Sequence, residues 1–148
     1  MALDSVLITG CSDGGLGSGL ALAFQKRGLH VFVTARNVSK LSHLSELPNV
    51  TILNLDVTSS SSIAEAVKAV QSTNNGKLKY LVNNSGVGMV MPLLDADIEV
   101  AKKMFDVNLW GVLAVTKAFT PMVVKEKGTV VIVGSSAGVL NIPWTGML

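Results

Sequence analysis

The 148-residue sequence has little of what metal and secreted proteins use. There is a single cysteine, Cys11, and only two histidines, His30 and His43, lie far apart along the chain. One cysteine excludes an internal disulfide, and two separated histidines without a partner ligand form no metal-binding pattern, so no metal is expected. A reducing compartment follows. With no basic leader or cleavage motif ahead of the first apolar run, the expected location is cytoplasmic. Charged residues make up 15% of the chain and the net charge is only +2, against roughly 25% charged in an average soluble protein. No basic run is interleaved with aromatic residues, which argues against a nucleic-acid partner. Uninterrupted apolar stretches fall short of the ~18 residues of a membrane span, so no transmembrane segment is expected.

What is present is apolar. Hydrophobic residues account for 49% of the sequence and the mean hydropathy is +0.50, a balance that favours strands buried on both faces, as in a parallel sheet. Apolar, β-branched runs at 5–9, 30–35, 50–55, 78–82 and 129–133 read as five strands. Between them, helical spacing marks Leu20, Ala21, Ala23 and Phe24, then Leu41, Leu44 and Leu47 up to Pro48. Ile63, Ala66, Val67 and Val70 follow a serine run, 59–62, suited to capping, and Asn74, Asn75 and Gly76 make the turn after them. Two further helices are expected over about 97–107 and 109–124, with Met104, Phe105 and Trp110 as helix core. Strands alternating with helices predict a Rossmann-type α/β domain over 1–148: a doubly wound parallel sheet with helices on both faces, cut off after its fifth strand.

Between the first strand and the first helix lie Thr9, Gly10, Cys11, Ser12, Asp13, Gly14, Gly15, Leu16 and Gly17. Here bare backbone can approach a pyrophosphate while a helix N-terminus faces its charge. Gly10, Ser12, Gly15, Leu16 and Gly17 are therefore candidate cofactor contacts, the plainer alternative being an ordinary tight turn. Leu16 and Gly17 stand where a P-loop needs Lys and Ser/Thr, so a nucleotide triphosphatase is not indicated. The second strand ends in Thr34, Ala35, Arg36, without the carboxylate that binds NAD ribose hydroxyls. Arg36, with Lys40 second, is the candidate for a 2′-phosphate, which points to NADP; otherwise Arg36 is a solvated charge.

The ordered set of motifs resembles the short-chain dehydrogenase/reductase family from Val6 to Met147. It comprises the glycine turn, one residue longer than usual because Gly14 and Gly15 are doubled; Leu55, Asp56 and Val57 after the third strand; and Asn83, Asn84, Ser85 and Gly86 after the fourth. Asn108 in the mid-chain helices and Ser135 after the fifth strand, in the pattern Ser, any residue, Ala, Gly, complete the set. The resemblance implies that Asp56 and Val57 bind the adenine end and that Asn84 and Gly86 lie beside the cofactor ribose. It implies catalytic roles for Ser135, polarising a carbonyl, and Asn108, anchoring a proton-relay water. Each has a plainer alternative: Asp56 can cap a turn, the asparagines can satisfy backbone groups, and Ser135 can be any serine at a strand end.

The family's spacing from Ser135 puts its tyrosine at Leu148 and its lysine four positions later, so the chain as it stands is expected to be nearly inactive. Tyr80, its only tyrosine, falls inside the fourth strand. The resemblance implies an NADPH-dependent oxidoreductase acting on a small-molecule carbonyl or alcohol; the alternative is a non-catalytic NADP-binding module. The doubled glycine and the segment Pro143, Trp144, Thr145, Gly146 resemble fungal acyl-dihydroxyacetone-phosphate reductases. That implies a lipid-linked ketone, handled at an endoplasmic-reticulum or lipid-droplet surface. The resemblance also implies a homodimer through the mid-chain helices. The fifth strand, β-branched from Val130 to Val133, is expected to be an exposed, aggregation-prone edge.

Overall fold

The computed structural model describes residues 3–140 and 143–145. Five strands, β1 (Ser5–Ile8), β2 (His30–Ala35), β3 (Val50–Asn54), β4 (Tyr80–Asn83) and β5 (Thr129–Ile132), form one sheet in the order β3-β2-β1-β4-β5. Every pairing is parallel. The order reverses between β1 and β4, and the crevice that opens at such a switch point is where open α/β sheets bind ligands.

Alternation along the strands divides the core in two. Leu7, Phe32 and Leu81 point to one face, where Ile63, Ala66 and Val70 of α3 (Ser60–Asn74) meet Val115, Phe119 and Met122 of α5 (Val112–Lys125). Val6, Ile8, Val31, Val33 and Val82 point to the other, against Ala21 of α1 (Leu16–Lys26) and Leu44 of the short α2 (Ser42–Ser45). Phe32 and Phe119 are fully buried, and a side chain of that size contributes about 1.5–3 kcal/mol on burial. Helices thus cover both faces, as expected. Ser59 caps α3 by accepting from the Ser62 amide, and Asn75 closes it with φ at 59°.

The mid-chain helices depart from the expectation. Instead of two helices there is one, α4 (Ile98–Phe105) continuing into α5 through a π-helical turn, Asp106–Gly111. Asp97 caps its start, accepting from the amides of Glu99 and Val100. The wider i→i+5 turn has no signature in apolar spacing, which explains the misplaced break. Of the three residues expected in the helix core, Met104 is buried, but Phe105 and Trp110 are more than half exposed. Spanning Ile98–Lys125, the joined helix is long and apolar enough to cross a membrane by length and composition alone, although the sequence contains no such uninterrupted run. Its α5 portion instead packs Val115, Phe119, Met122 and Val123 into the domain core.

At the other side β5 is the sheet's edge among the described residues, and Thr129–Ile132 are all exposed, as expected.

Candidate active site

The glycine loop is held by a hub. Thr9 is buried, its amide donates to the Val82 carbonyl, and its hydroxyl accepts from the amides of both Asn84 and Ser85 at 2.9 Å. Asn84 returns the tie, its side-chain amide donating to the carbonyls of Thr9 (2.8 Å) and Gly10 (2.9 Å). The amides of Cys11, Asp13 and Gly15 are likewise bonded, to the carbonyls of Thr34, Lys40 and Ser12, so the loop is fixed through both its donors and its acceptors. Gly10 has φ of 73°, and a Cβ there would lie 2.9 Å from Ser85 Oγ. At Gly17 a Cβ would strike the Gly10 carbonyl and come to 2.5 Å from Asn84 Nδ2, so only glycine lets α1 start this close to β1 and β4. Cys11 points away. Its thiol donates to the Ile8 carbonyl, and burial pushes its pKa up to about 11, which makes it a packing residue.

In front of this loop, at the carboxyl ends of the strands, lies a cleft of about 450 Å³. Of the expected cofactor contacts it gathers Gly10, Ser12, Leu16, Arg36, Asp56, Val57, Asn84 and Gly86, with Lys40 beside them. Gly15 and Gly17 do not line it; they form the N-cap and first turn of α1 behind the loop. Asn37, Ser85, Val87 and Val107 also line it without having been singled out. Ser85 sits inside the recognised asparagine motif, but no sequence signal marks Val87, in the β4–α4 connection, or Val107, in the π-helical turn after α4.

Asp56 accepts from the Thr58 amide (2.9 Å) and hydroxyl (2.7 Å). Those bonds, with the Arg36 charge adding, hold its carboxyl below the ordinary 3.8. It does cap a turn, then, and it also faces the cleft. Asn83 is buried and donates to Thr116 Oγ1.

Asn108 and Ser135 stand outside the residues lining the cleft. Asn108 lies in the π-helical turn and grips one residue of the β4–α4 connection: its Oδ1 accepts from the Val87 amide (2.9 Å) and its Nδ2 donates to the Val87 carbonyl (2.7 Å). Gly111 lets that turn pack close, since a Cβ there would meet Val57 Cγ2 at 2.8 Å. Ser135 is exposed at the end of β5 and caps a single 3₁₀ turn, its Oγ accepting from the Ala137 amide. Tyr80 opens β4 and stacks obliquely on Phe24, on the opposite end of the sheet from the glycine loop. Leu148, where the family's spacing puts the tyrosine, and Gly146 of the terminal motif lie outside the described residues.

Comparison with known proteins identifies the family. The sequence profile of short chain dehydrogenases matches residues 4–147. The chain belongs to the short chain dehydrogenase family. A short-chain dehydrogenase of Penicillium ochrochloron is 46% identical over 143 residues, covering 97% of this chain and 53% of that protein. The NADPH-dependent 1-acyldihydroxyacetone phosphate reductase of Schizosaccharomyces pombe is 44% identical over 130 residues, covering 88% of this chain and 44% of that protein. This short chain dehydrogenase chain thus spans about half the length of these curated relatives. Among solved structures, ElxO with NADP bound superposes with a TM-score of 0.87 at 29% identity, over 98% of this chain and 60% of that one. Serine dehydrogenase from Escherichia coli gives 0.87 at 29% identity, over 97% and 67%.

Proposed function

We propose that this short chain dehydrogenase binds NADP and serves an NADPH-dependent reductase that interconverts a ketone and an alcohol. The observation that carries the cofactor choice is the cleft's charge: β2 ends in Ala35, Arg36, Asn37 without a carboxylate, and Arg36 and Lys40 both line the space beside the loop. The residues suit a dinucleotide. Gly10 lines the cleft, α1 begins close behind it because Gly17 lets the helix pack against the loop, and Asp56 lines the same cleft for the adenine amino group. The cofactor supplies a hydride. Ser135 orients and polarises the substrate carbonyl, and Asn108 supports the proton path from the π-helical turn.

A lipid-linked ketone is the substrate class we favour. Likeness to the acyldihydroxyacetone phosphate reductase supports it, and so do apolar side chains exposed beyond the carboxyl ends of β4 and β5. Leu94 is 98% exposed and Val139 87%, and the Met91 amide joins these two segments by donating to the Trp144 carbonyl. Such a substrate implies a cytoplasmic protein working at an endoplasmic-reticulum or lipid-droplet surface. The exposed Phe105, Leu109, Trp110 and Leu113 along the mid-chain helix support homodimerisation.

Fluorescence titration with NADPH and NADH tests the cofactor reading. NADPH is expected to bind more tightly, and Arg36→Ala to weaken NADPH about 10- to 100-fold, the worth of a charge-assisted phosphate bond, with little effect on NADH. Equal affinity for both cofactors would remove NADP specificity. NADPH consumption with 1-acyldihydroxyacetone phosphate, by the protein isolated from its source, tests the chemistry. Binding without turnover on any carbonyl would instead make it a non-catalytic NADP-binding module.

A further inference from the structure

Asp13, His43 and Ser18 form a side-chain relay beside the cleft that none of the roles above uses. His43 Nδ1 is paired with Asp13 Oδ1, and His43 Nε2 lies 2.6 Å from Ser18 Oγ. A carboxylate only accepts, so Nδ1 carries the proton, and Ser18 satisfies Nε2 as donor or acceptor. The order is that of a hydrolytic triad, yet Ser18 is 5% exposed in the first turn of α1 and does not line the cleft. No acyl substrate reaches it. The relay is a clamp between the glycine loop, α2 and α1.

What the clamp restrains is a negative charge. Asp13 is the loop's one carboxylate and its side chain is half exposed. Its backbone amide donates to the Lys40 carbonyl at 3.0 Å, which makes Asp13 and Lys40 immediate neighbours. Lys40 and Arg36 line the cleft, together with Ser12, the residue next to Asp13. A carboxylate freed at this point can reach the Lys40 ammonium and compete with a phosphate ligand for it.

We propose that His43 is a specificity-determining positioning residue: by holding Asp13 on its Nδ1 side while Ser18 anchors its Nε2 side, it keeps a carboxylate off the Lys40 and Arg36 that receive the cofactor's 2′-phosphate. The inference rests on the NADP reading above, and its test separates the two. Dissociation constants for NADPH and NADH are measured on the unaltered chain, His43→Ala, Asp13→Asn and the double variant. His43→Ala is expected to weaken NADPH about tenfold while NADH stays within about twofold, and the added Asp13→Asn restores NADPH binding. Equal losses for both cofactors, or no restoration, overturn the proposal and leave His43 a support of the loop. If His43→Ala does not fold, Asp13→Asn at its half-exposed position still decides. NADPH affinity is expected to hold or rise, and a tenfold fall makes Asp13 a cofactor ligand and ends the proposal. An unaltered chain without preference for NADPH overturns the cofactor reading, and this inference with it.

Discussion

The side-chain nitrogen of Asn84 bonds to the carbonyl of Gly10 at 2.9 Å and to that of Thr9 at 2.8 Å, so one amide on β4's exit ties down the glycine loop that follows β1. The two segments are separated by 74 and 75 residues in sequence, a stretch that holds α1, β2, α2, β3 and α3, and no other side chain among the described residues hydrogen-bonds both carbonyls. Asn84→Leu should leave both carbonyls unpaired, at a cost of about 1–3 kcal/mol. Asn84→Asp should cost more, because it sets a carboxylate against two carbonyl oxygens. Urea denaturation measures both. An Asn84→Asp variant as stable as the parent would mean that the tie contributes nothing.

Two glycines of α1 should respond oppositely to the same substitution. At Gly17 an added methyl collides with the Gly10 carbonyl, whereas nothing lies within 4 Å of one added at Gly19. Gly17→Ala is expected to lose at least ~1–3 kcal/mol through overpacking and to displace the loop from its cofactor-binding shape. Gly19→Ala should gain about 0.5–1 kcal/mol by removing backbone freedom inside a helix. Thermal unfolding of the pair, run side by side, distinguishes a steric requirement from mere glycine richness.

Acid should weaken the fold through His30. Its imidazole donates to or accepts from Thr51 Oγ1 at 2.9 Å and stacks obliquely on Phe32, and burial pulls its pKa below the ordinary 6.5. Above that value it is neutral in both folded and unfolded chains, and the stability is complete. As the pH falls below 6.5 the unfolded chain takes up the proton first, so stability declines until the folded-state pKa is passed. Urea midpoints should therefore fall between about pH 7.5 and 5.5, and His30→Gln should remove that part of the slope. A slope unchanged by the substitution would assign it to other groups.

The alternation of five strands with helices, the helices on both faces and the glycine loop were legible because each rests on a local signal: β-branched runs, helical apolar spacing, and glycines between a strand and a helix. Arg36 and Asp56 reach one cleft because parallel strands deliver their carboxyl ends to the same side. Three features were not legible. The π-helical turn changes helical phase without changing composition, and residue type alone puts Phe105 and Trp110 in the helix core, although both are more than half exposed. Asn84 reads in sequence both as a cofactor contact and as a partner for backbone groups; it lines the cleft, but its side chain's choice of the Thr9 and Gly10 carbonyls could not be read from the sequence. The pairing of Asp13 with His43 joins a turn to a short helix across the second strand, and no spacing rule anticipates such a contact.

The edge strand sets the last prediction. Among the described residues β5 bonds only to β4, in the register Leu81 to Val130 and Val82 to Val131, and Val130, Val131 and Ile132 are all more than a third exposed. A row of open backbone donors and acceptors flanked by β-branched apolar side chains is a template for pairing with a second chain. The 148-residue chain is therefore expected to self-associate as its concentration rises. Ile132 is the most exposed of the three, so Ile132→Lys places a charge on the edge with the least disturbance to packing. Sedimentation velocity should show the parent chain shifting to larger species with concentration and the lysine variant remaining smaller at the same loading. If both sediment alike as monomers, the edge is protected by its own twist. If both associate alike, the exposed mid-chain helix at Phe105, Leu109 and Trp110 is the contact instead, which a charge at Trp110 would then break.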